Sequence, residues 1–350
     1  MSVFPIDPFA QAKLNRAEAD AYLQRIRLPS SLLDSPPSLE LLSRLLLSQL
    51  EEIPKDTGPL HVPEEQWHGP STPIRMSSAF TNMPLGMASL DRIVRDNKGA
   101  FCFSVNPTFA SFLRYFGFTV SELVARPFKS LDNDPRTHPD GWKWGTLTHE
   151  VLVAGWPESP DRYLVDGGWG PWNLAKPIKL TTNPEGEVII GLNEFEAYRL
   201  VYELLPLSPN TAPPVDTIAG YTLYRRIGPV GTPHTLPITD ASPGFWTPQF
   251  HFHLISVPLP DFTLYHHYSA SHPDAVFTAF WLTTRIIPGG RGARRQMMYA
   301  DKAGEGRRAK VYTTGGPEAQ GSLQGRDVEW VEMETGPMKE YLIKNFNYKF

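Results

Sequence analysis

The stretch NKGAFCFSVNPTFASFLRYFGF, from Asn97 to Phe118, contains Cys102, the only cysteine among 350 residues. Its apolar residues recur at helical spacing, and a glycine follows as a C-terminal stop. Because proline is best tolerated in the first turn of a helix, Pro107 indicates a helix that begins at or just after Cys102. The thiol is therefore predicted at a helix N-terminus, where unpaired N–H groups and the helix dipole favour a thiolate.

An unpaired cysteine has two interpretations. Free cysteine is among the most buried residue types, and it usually acts as a small apolar side chain that packs in the core. A thiol at a helix N-terminus can instead be a nucleophile. The stretch around Cys102 leaves both interpretations open.

The composition excludes several classes of protein. Net charge is −4 with a pI near 6.2, so no basic surface for nucleic acid is indicated. A single cysteine cannot form an internal disulfide, which fits a reducing compartment. No apolar run approaches the ~18 residues that span a bilayer, and the N-terminus lacks the features of a secretory signal. We expect a cytoplasmic protein that binds neither nucleic acid nor membrane.

The length of the chain predicts two or three domains, and its many prolines and glycines predict short strands. The sequence contains 35 prolines and 27 glycines, too many for an all-helical bundle. The first third reads as helical, with a capping box at Asn15 and Glu18 and a second helix start at Ser38. Alternating patterns indicate strands from about residue 118 onward, and the last third mixes strands and helices.

Two strand-like segments place a histidine and an aspartate on the predicted sheet. TLTHEVLVAGW and DRYLVDGGWG flank the turn sequence PESP. A hairpin centred on Pro157 and Glu158 would make His149 and Asp166 direct cross-strand partners. A cysteine activated by a histidine that a carboxylate orients is the general arrangement for thiol acyl transfer.

The order and context of these residues resemble the arylamine N-acetyltransferases, including fungal-type members. KGAFCFSVN places Cys102 and Asn106 on the cysteine and asparagine of the family's nucleophile motif. LTHEVLV and YLVDGGWG match its histidine strand and its aspartate strand. The flanking stretches YLQRIRLP, EEIPKDTGPLH, DFTLYHHYSASHPDAVF and YLIKNFNYKF extend the resemblance over nearly the whole chain.

The resemblance implies an α+β fold with a cysteine-protease-like Cys-His-Asp arrangement. We expect an N-terminal helical bundle over residues 1–117 with the cysteine. A central antiparallel β-barrel over 118–230 would carry the histidine and aspartate. An α/β lid would occupy residues 231–350.

The implied reaction is a ping-pong transfer through a thioester. Acetyl-CoA would acylate Cys102, and an arylamine or arylhydrazine would then take the acetyl group, with His149 as base and then acid. The backbone N–H of Cys102 is a candidate donor to the oxyanion. The resemblance implies a monomer that uses a CoA thioester as co-substrate and requires no metal. The paired histidines of the final third also lack the spacing of a metal site.

Further site residues follow from the resemblance. Those expected to contact the acyl group or the amine are Phe101, Trp169, Gly168 and Lys55. Those expected to contact CoA are Thr148, Ser271 and His266. Those expected to support the site are Lys98, Asp56 and Asn106.

Several positions depart from the family pattern. Lys98 replaces the motif arginine, so its ion pair with Asp56 is expected to be weak. Ala100 replaces a glycine, and an alanine is tolerated at this position only if its backbone φ angle is in the ordinary, negative range. Lys55 replaces a phenylalanine near the acyl pocket and favours an acidic acyl group. Trp169 replaces a phenylalanine and would narrow the amine pocket.

Three alternatives remain open at the level of sequence. The donor could be malonyl-CoA or another acyl-CoA, used by the same mechanism. The protein could be a transglutaminase-like cysteine hydrolase, which uses the same order of catalytic residues. It could also be a homologue that binds ligands without catalysis.

Overall fold

The N-terminal part of the molecule is helical. The computed structural model describes residues 11–76, 83–139, 141–170, 172–207, 218–240, 242–299, 307–320 and 325–350. Residues 1–10, which bear on the predicted lack of a secretory signal, lie outside these ranges. Three helices pack around one apolar cluster, and a two-residue strand precedes the third: α1 (Arg16–Arg25), α2 (Leu39–Glu52), β1 (Lys55–Asp56) and α3 (Cys102–Tyr115).

The helix starts follow the capping signals of the sequence. Asn15 and Glu18 form the predicted capping box of α1, and Ser38 caps α2 by accepting from the N–H of Leu41 over 3.1 Å. Helix α3 begins at Cys102, as predicted. Its apolar stripe is buried against α1, α2 and one face of a β-sheet.

The prediction for Pro107 was wrong in one respect. This residue lies inside α3, one turn further along than the first turn. A proline there cannot donate to the carbonyl of Phe103, so the helix carries one fewer backbone hydrogen bond. The hydroxyls of Thr108 and Ser111 bond to carbonyls of the same helix around this point, over distances of 2.9–3.0 Å.

An eight-stranded antiparallel sheet forms the nearly closed barrel. Its strands are β2 (Thr119–Pro127), β3 (His149–Gly155), β4 (Tyr163–Val165), β5 (Ile178–Lys179), β6 (Glu187–Ile190), β7 (Ala197–Glu203), β8 (Gly220–Ile227) and β9 (Phe245–Phe252). The spatial order is β5-β4-β3-β2-β9-β8-β7-β6. The two edge strands, β5 and β6, follow each other in the chain, so the edges of the sheet meet across one short connection.

Strand β9 lies beyond the expected end of the barrel at residue 230. It is nevertheless paired with both β2 and β8 in the middle of the sheet. The proline- and glycine-rich region from 205 to 245 therefore contains a strand and connects neighbours of one sheet. Composition cannot distinguish such a connection from a linker between domains.

The hairpin of β3 and β4 has a different register from the predicted one. Leu152 pairs with Val165 and Ala154 with Tyr163, which places the centre of the hairpin beyond Glu158. His149 and Asp166 are therefore not directly opposite each other, and the prediction of a direct cross-strand pair was wrong. The turn sequence fixed the existence of the hairpin, whereas its register depends on how both strands pack.

A second, five-stranded antiparallel sheet covers the other side of the molecule. Its order is β1-β10-β11-β12-β13, with β10 (Trp281–Ile286), β11 (Arg294–Tyr299), β12 (Arg308–Thr314) and β13 (Arg326–Glu332). Three further helices flank it: α4 (Leu259–Ser271), α5 (Val276–Ala279) and α6 (Thr335–Phe346). Strand β1 joins this sheet to the helical part. Over the ranges described, no helix is long and apolar enough to cross a membrane.

Candidate active site

The thiol of Cys102 lies at the start of α3 and is fully buried. Its sulfur is 3.9 Å from the carbonyl oxygen of Thr148, the residue before β3. The first N–H groups of a helix have no partner within the helix, and its N-terminus carries partial positive charge. Cys102 therefore lies where an anionic sulfur or an oxyanion is stabilised.

The imidazole of His149 is held by the carboxylate of Asp166. The distance from His149 Nε2 to Asp166 Oδ2 is 2.6 Å, and both side chains are buried. Because a carboxylate only accepts, Nε2 carries the proton in this bond. Nδ1 is then the nitrogen available to take a proton from Cys102, which also interacts with this ring. The different register of the hairpin does not prevent this contact, because diagonal neighbours in a sheet remain within reach.

The second oxygen of Asp166 is fixed from two directions. Oδ1 accepts from the side-chain amide of Asn106 over 3.1 Å and from the N–H of Gly168 over 2.8 Å. The carbonyl of the same Asn106 amide accepts from Gly167 N–H over 2.9 Å. The carboxylate therefore has a single orientation, with Oδ2 directed at His149.

The charge state of His149 reflects opposing effects. Burial favours the neutral ring, but the charge of Asp166, the hydrogen bond to it and the sulfur of Cys102 favour the imidazolium. The balance raises the pKa of His149 to about 9. An imidazolium at neutral pH is able to act as a proton donor and to stabilise an adjacent thiolate.

Gly168 lies against the nucleophile itself. A side-chain carbon at this position would be 2.7 Å from Cα and 2.9 Å from Cβ of Cys102. No residue larger than glycine fits there without displacing the cysteine. Gly168, expected to contact substrate, therefore packs directly against the backbone of Cys102.

Trp169 packs on the imidazole of His149. Its ring centroid is 4.7 Å from that of His149, and both rings contact Phe250 of β9 at 5.2 Å. Its indole N–H donates to Gln249 over 3.3 Å. Two aromatic rings therefore pack against the imidazole of His149.

Lys55, the residue expected to face the acyl pocket, is buried beside the nucleophile. Its ammonium donates to the carbonyl of Trp169 over 2.8 Å and lies 4.6 Å from the ring centroid of Phe277. Burial lowers the pKa of Lys55, while the nearby Cys102 and Asp166 oppose that shift. A lysine ammonium has three donors, and among the described residues this bond to Trp169 uses one of them, which leaves capacity for an anionic partner.

The predicted ion pair between Lys98 and Asp56 is absent, and the prediction was wrong. Lys98 pairs with Glu64 instead and lies 5.3 Å from the ring centroid of Phe350. The cation near Asp56 is Arg92, at 3.8 Å. Arg92 lies upstream of the nucleophile motif, so comparison with the motif could not find it.

Asp56 is surrounded by donors from three parts of the chain. Its carboxylate accepts from the N–H of Gly58 over 2.8 Å, from Trp281 over 3.0 Å, from Thr283 over 2.8 Å and from Tyr348 over 2.6 Å. It therefore links β1 to β10 and to the segment after α6. In the same region, Ala100 does not have a positive φ, so the alanine that replaces a glycine is accommodated without strain.

The residues expected to contact CoA lie in different environments. Thr148 adjoins the thiol through its carbonyl. His266 is buried on α4, with its ring centroid 5.1 Å from that of Phe101, the residue before the nucleophile. Ser271 is exposed at the end of α4 and bonds to His267 of the same helix. The structure thus brings Thr148, His266 and Phe101 near the nucleophile, whereas the contacts of Ser271 are within its own helix.

Sequence reasoning also missed Glu150, which follows His149. It is fully buried, and neither carboxyl oxygen has a hydrogen-bond partner within the described ranges. Burial, together with the charge of Glu122, raises the pKa of Glu150 well above its usual value. Nothing in its sequence context distinguishes this residue from a surface glutamate.

Among the described residues, no group of three or more histidine, cysteine or acidic side chains is placed to hold a metal ion.

This geometry defines a class of protein. A buried thiol at a helix start, beside an imidazole that a carboxylate orients, is the arrangement of cysteine-dependent acyl-transfer sites. A family model described as N-acetyltransferase matches residues 83–201, the range that contains all three side chains.

Curated relatives and solved structures define the class more narrowly. The chain is 28% identical over 150 residues to the arylamine N-acetyltransferase of Mycolicibacterium smegmatis, covering 41% of this chain and 50% of that protein. It is 24% identical over 205 residues to the enzyme of Escherichia coli K12, covering 57% and 55%. The chain thus spans about half the length of the curated relatives it matches.

The structural similarity extends over nearly the whole chain. The arylamine N-acetyltransferase of Mycobacterium tuberculosis has a TM-score of 0.60 at 20% identity, covering 94% of this chain and 93% of that one. The Mycobacterium marinum enzyme in complex with CoA has a TM-score of 0.59 at 18% identity, covering 94% and 92%. The predicted resemblance to the arylamine N-acetyltransferase family, and the mixed fold that it implied, are confirmed.

Proposed function

We propose that this protein is an acyl-CoA-dependent N-acyltransferase that moves an acetyl group from acetyl-CoA to arylamines or arylhydrazines. The observation that carries the proposal is the arrangement of Cys102, His149 and Asp166, with the 2.6 Å contact between the last two. The similarity to arylamine N-acetyltransferases, one of them in complex with CoA, supports the choice of donor and acceptor.

The first half-reaction forms a thioester on the enzyme. Transfer of the Cys102 proton to His149 Nδ1 gives a thiolate beside an imidazolium, and this sulfur attacks the carbonyl carbon of acetyl-CoA. The tetrahedral intermediate collapses as the C–S bond to CoA breaks, and the CoA sulfur leaves as a thiol with the proton from His149. A histidine whose pKa is about 9 is protonated at neutral pH, which suits it to this donation.

The second half-reaction transfers the acetyl group to nitrogen. The amine attacks the thioester carbonyl, His149 accepts the proton that the nitrogen loses, and the Cys102 sulfur departs. The oxyanion formed in each half-reaction needs donors, and the first N–H groups of α3, that of Cys102 included, are the nearest to the sulfur along the chain. Asp166 keeps the ring in the tautomer that both steps require.

The aromatic surroundings of the thiol fit an aryl acceptor. Trp169 and Phe101 flank the catalytic residues, and Phe277 contacts Phe101 with ring centroids 5.7 Å apart. Aromatic rings pack edge to face or offset with each other over such distances. The thiol has no exposed surface, so a covering side chain must move before a CoA thioester can reach it.

Intact-protein mass spectrometry tests the proposal. Purified protein is mixed with acetyl-CoA in the absence of an amine, and the adduct is located by peptide mapping. We expect one acetyl group on Cys102 and none in the Cys102→Ala variant. Addition of an arylamine such as 4-aminobenzoate should remove the adduct and produce the N-acetylated amine.

The same experiment separates the alternatives. A hydrolase would lose its adduct to water at the same rate with and without amine. A homologue without catalysis would form no adduct with any acyl-CoA, and that outcome would overturn the proposal. The wild-type protein treated with iodoacetamide serves as the blocked control.

A second candidate donor carries a carboxylate on its acyl group, as malonyl-CoA does. The observation that favours it is Lys55, a buried ammonium beside Cys102 that makes one hydrogen bond among the described residues. Such a cation would form a charge-assisted hydrogen bond with a carboxylate, worth about 1.5–3 kcal/mol. An acetyl group offers no partner for this charge.

Acylation rates with acetyl-CoA and malonyl-CoA distinguish the two donors. If Lys55 selects the donor, Lys55→Met should lower the rate with malonyl-CoA by about 10- to 100-fold, as the loss of such a bond implies. The rate with acetyl-CoA should stay the same or rise. Equal effects on both donors would show that Lys55 has no part in donor choice.

The remaining functional proposals rest on the sequence. We propose that the protein acts as a monomer in the cytoplasm, on xenobiotic amines and without a metal. Its single cysteine suits a reducing compartment, and its charge gives no basis for a nucleic-acid partner.

A further inference from the structure

A small cavity lies between the two sheets, away from Cys102. It is lined by three arginines, one histidine, one glutamate and their neighbours: Trp172, Asn193, Phe195, Glu196, Arg225, Arg226, His234, Arg294, Gly315 and Gly316. Its volume is about 20 Å³. A single water molecule needs roughly 10–15 Å³ by this measure, so the cavity has room for one small ligand.

The charges around the cavity do not balance. Arg294 pairs with Glu196, and Arg225 pairs with Asp132. Arg226 has no carboxylate partner in the described part of the chain and donates only to neutral oxygens of His234, Leu236 and Ser242. Within the described ranges, one guanidinium charge is therefore buried without a counter-ion.

Several donors at the cavity also lack acceptors. His234 is only 6% exposed, yet neither ring nitrogen has a hydrogen-bond partner among the residues described. The Nε–H groups of Arg225, Arg226 and Arg294 are buried and unpartnered in the same way. Buried polar groups are nearly always bonded, so this concentration of orphaned donors indicates a missing acceptor.

The acceptor must be small and anionic. A guanidinium Nε–H donates and never accepts, so the ligand must accept hydrogen bonds from these groups. A water molecule would accept some of these bonds but would leave the positive charge uncompensated. We propose that this cavity binds one monovalent anion of halide size, held by Arg226, His234 and the neighbouring guanidinium groups.

Such an anion would connect the two sheets and the loop after Asp166. Arg226 lies on β8 and Arg294 on β11. Arg294 also donates to the carbonyl of Asn173 over 3.0 Å, and the side chain of Asn173 accepts from Gly170 over 2.8 Å. Binding at the cavity is therefore expected to stabilise the folded state as a whole.

Thermal unfolding of the full chain tests the proposal. Tm is measured in sodium gluconate, sodium chloride and sodium bromide at one ionic strength, because gluconate is too large for the cavity. For the wild type we expect a saturable rise of several degrees in chloride and bromide. The same Tm in all three salts would overturn the proposal.

Two variants identify the site. Arg226→Gln removes the uncompensated charge, so its Tm should no longer depend on halide. Arg199→Gln, on the adjacent strand β7 and outside the cavity, should respond as the wild type does. A halide response that persists in Arg226→Gln would place the anion elsewhere and contradict the assignment.

A structural measurement covers the possibility that Arg226→Gln does not fold. Crystals of the wild type soaked in bromide should give an anomalous peak between Arg226 and His234. Density in the cavity without an anomalous signal would identify a water molecule and overturn the proposal.

Discussion

Asn106, one helical turn beyond Cys102 on α3, donates its side-chain amide to Asp166 over 3.1 Å. The helix that carries the thiol therefore also holds the carboxylate that orients the imidazole. The position of Asp166 relative to Cys102 therefore depends on α3 as well as on the loop after β4, whose Gly168 N–H donates to the same carboxylate oxygen.

Replacement of Asn106 by alanine should remove the contact of α3 with Asp166 while α3 still carries Cys102. The N–H of Gly167 would lose its partner, and Asp166 Oδ1 would keep only the N–H of Gly168. A buried group left unpaired costs about 1–3 kcal/mol. We expect a lower free energy of unfolding in urea and slower acylation of Cys102. Asn345→Ala, on α6, is the matched control. Acylation at the wild-type rate in folded Asn106→Ala would contradict this role.

Asp166→Asn tests the orientation of the imidazole directly. An amide can donate to Nε2, which favours the wrong tautomer, and the rate loss in an equivalent triad is about 10⁴-fold. The measurement is the rate of Cys102 acetylation by acetyl-CoA. Asp161→Asn, in the hairpin before β4, removes a carboxylate that pairs with Lys179 and should leave the rate unchanged. A loss of less than tenfold in Asp166→Asn would argue against the proposed mechanism.

The raised pKa of His149 predicts how stability depends on pH. The folded value of about 9 exceeds the ordinary value of 6.5, so the folded state binds a proton that the unfolded state releases between these values. The stabilisation is complete below pH 6.5 and is lost as pH rises through 9. Its size is on the order of 3 kcal/mol. Urea titrations at pH 6 and pH 10 should show a steeper loss for the wild type than for His149→Gln; equal losses would show that His149 is not the group responsible.

Gly168→Ala and Gly167→Ala should differ sharply although they are neighbours. An added methyl at Gly168 would be 2.7 Å from the backbone of Cys102, whereas one at Gly167 has its nearest contacts at 3.3 Å with side-chain atoms. Side chains can shift by a few tenths of an ångström, but the start of α3 cannot. We expect Gly168→Ala to lose acylation almost completely and Gly167→Ala to retain most of it. Similar rates in the two variants would mean that Cys102 can move freely.

The partner of Asp56 can be identified by comparing two cations. Arg92→Gln leaves a buried carboxylate without its nearest positive charge, which costs about 3 kcal/mol. Lys98→Gln affects Glu64, which is half exposed, and should cost about 1 kcal/mol or less. Chemical denaturation of both variants provides the comparison. A larger loss of unfolding free energy in Lys98→Gln than in Arg92→Gln would show that Lys98 stabilises this region more than Arg92 does.

The sequence predicted what depends on local chemistry and on motifs. The capping box of α1, the N-cap of α2 and the start of α3 at Cys102 follow from short patterns that specify one local conformation. The mixed fold follows from the resemblance to a known family. The register of β3 against β4 did not follow, because a turn sequence allows several registers and tertiary packing selects one. The role of Arg92 was missed because its contact with Asp56 joins segments far apart in the chain.

Strand β1 consists of only two residues, and their side chains alternate between its two faces. Lys55 lies beside Cys102, and Asp56 lies within the network of Trp281 and Tyr348. Insertion or deletion of one residue between α2 and β1 would exchange the two faces. An anionic carboxylate would then adjoin the sulfur and repel the thiolate, and a lysine would enter a set of hydrogen-bond donors. The length of this connection is therefore under as much chemical constraint as the catalytic residues themselves.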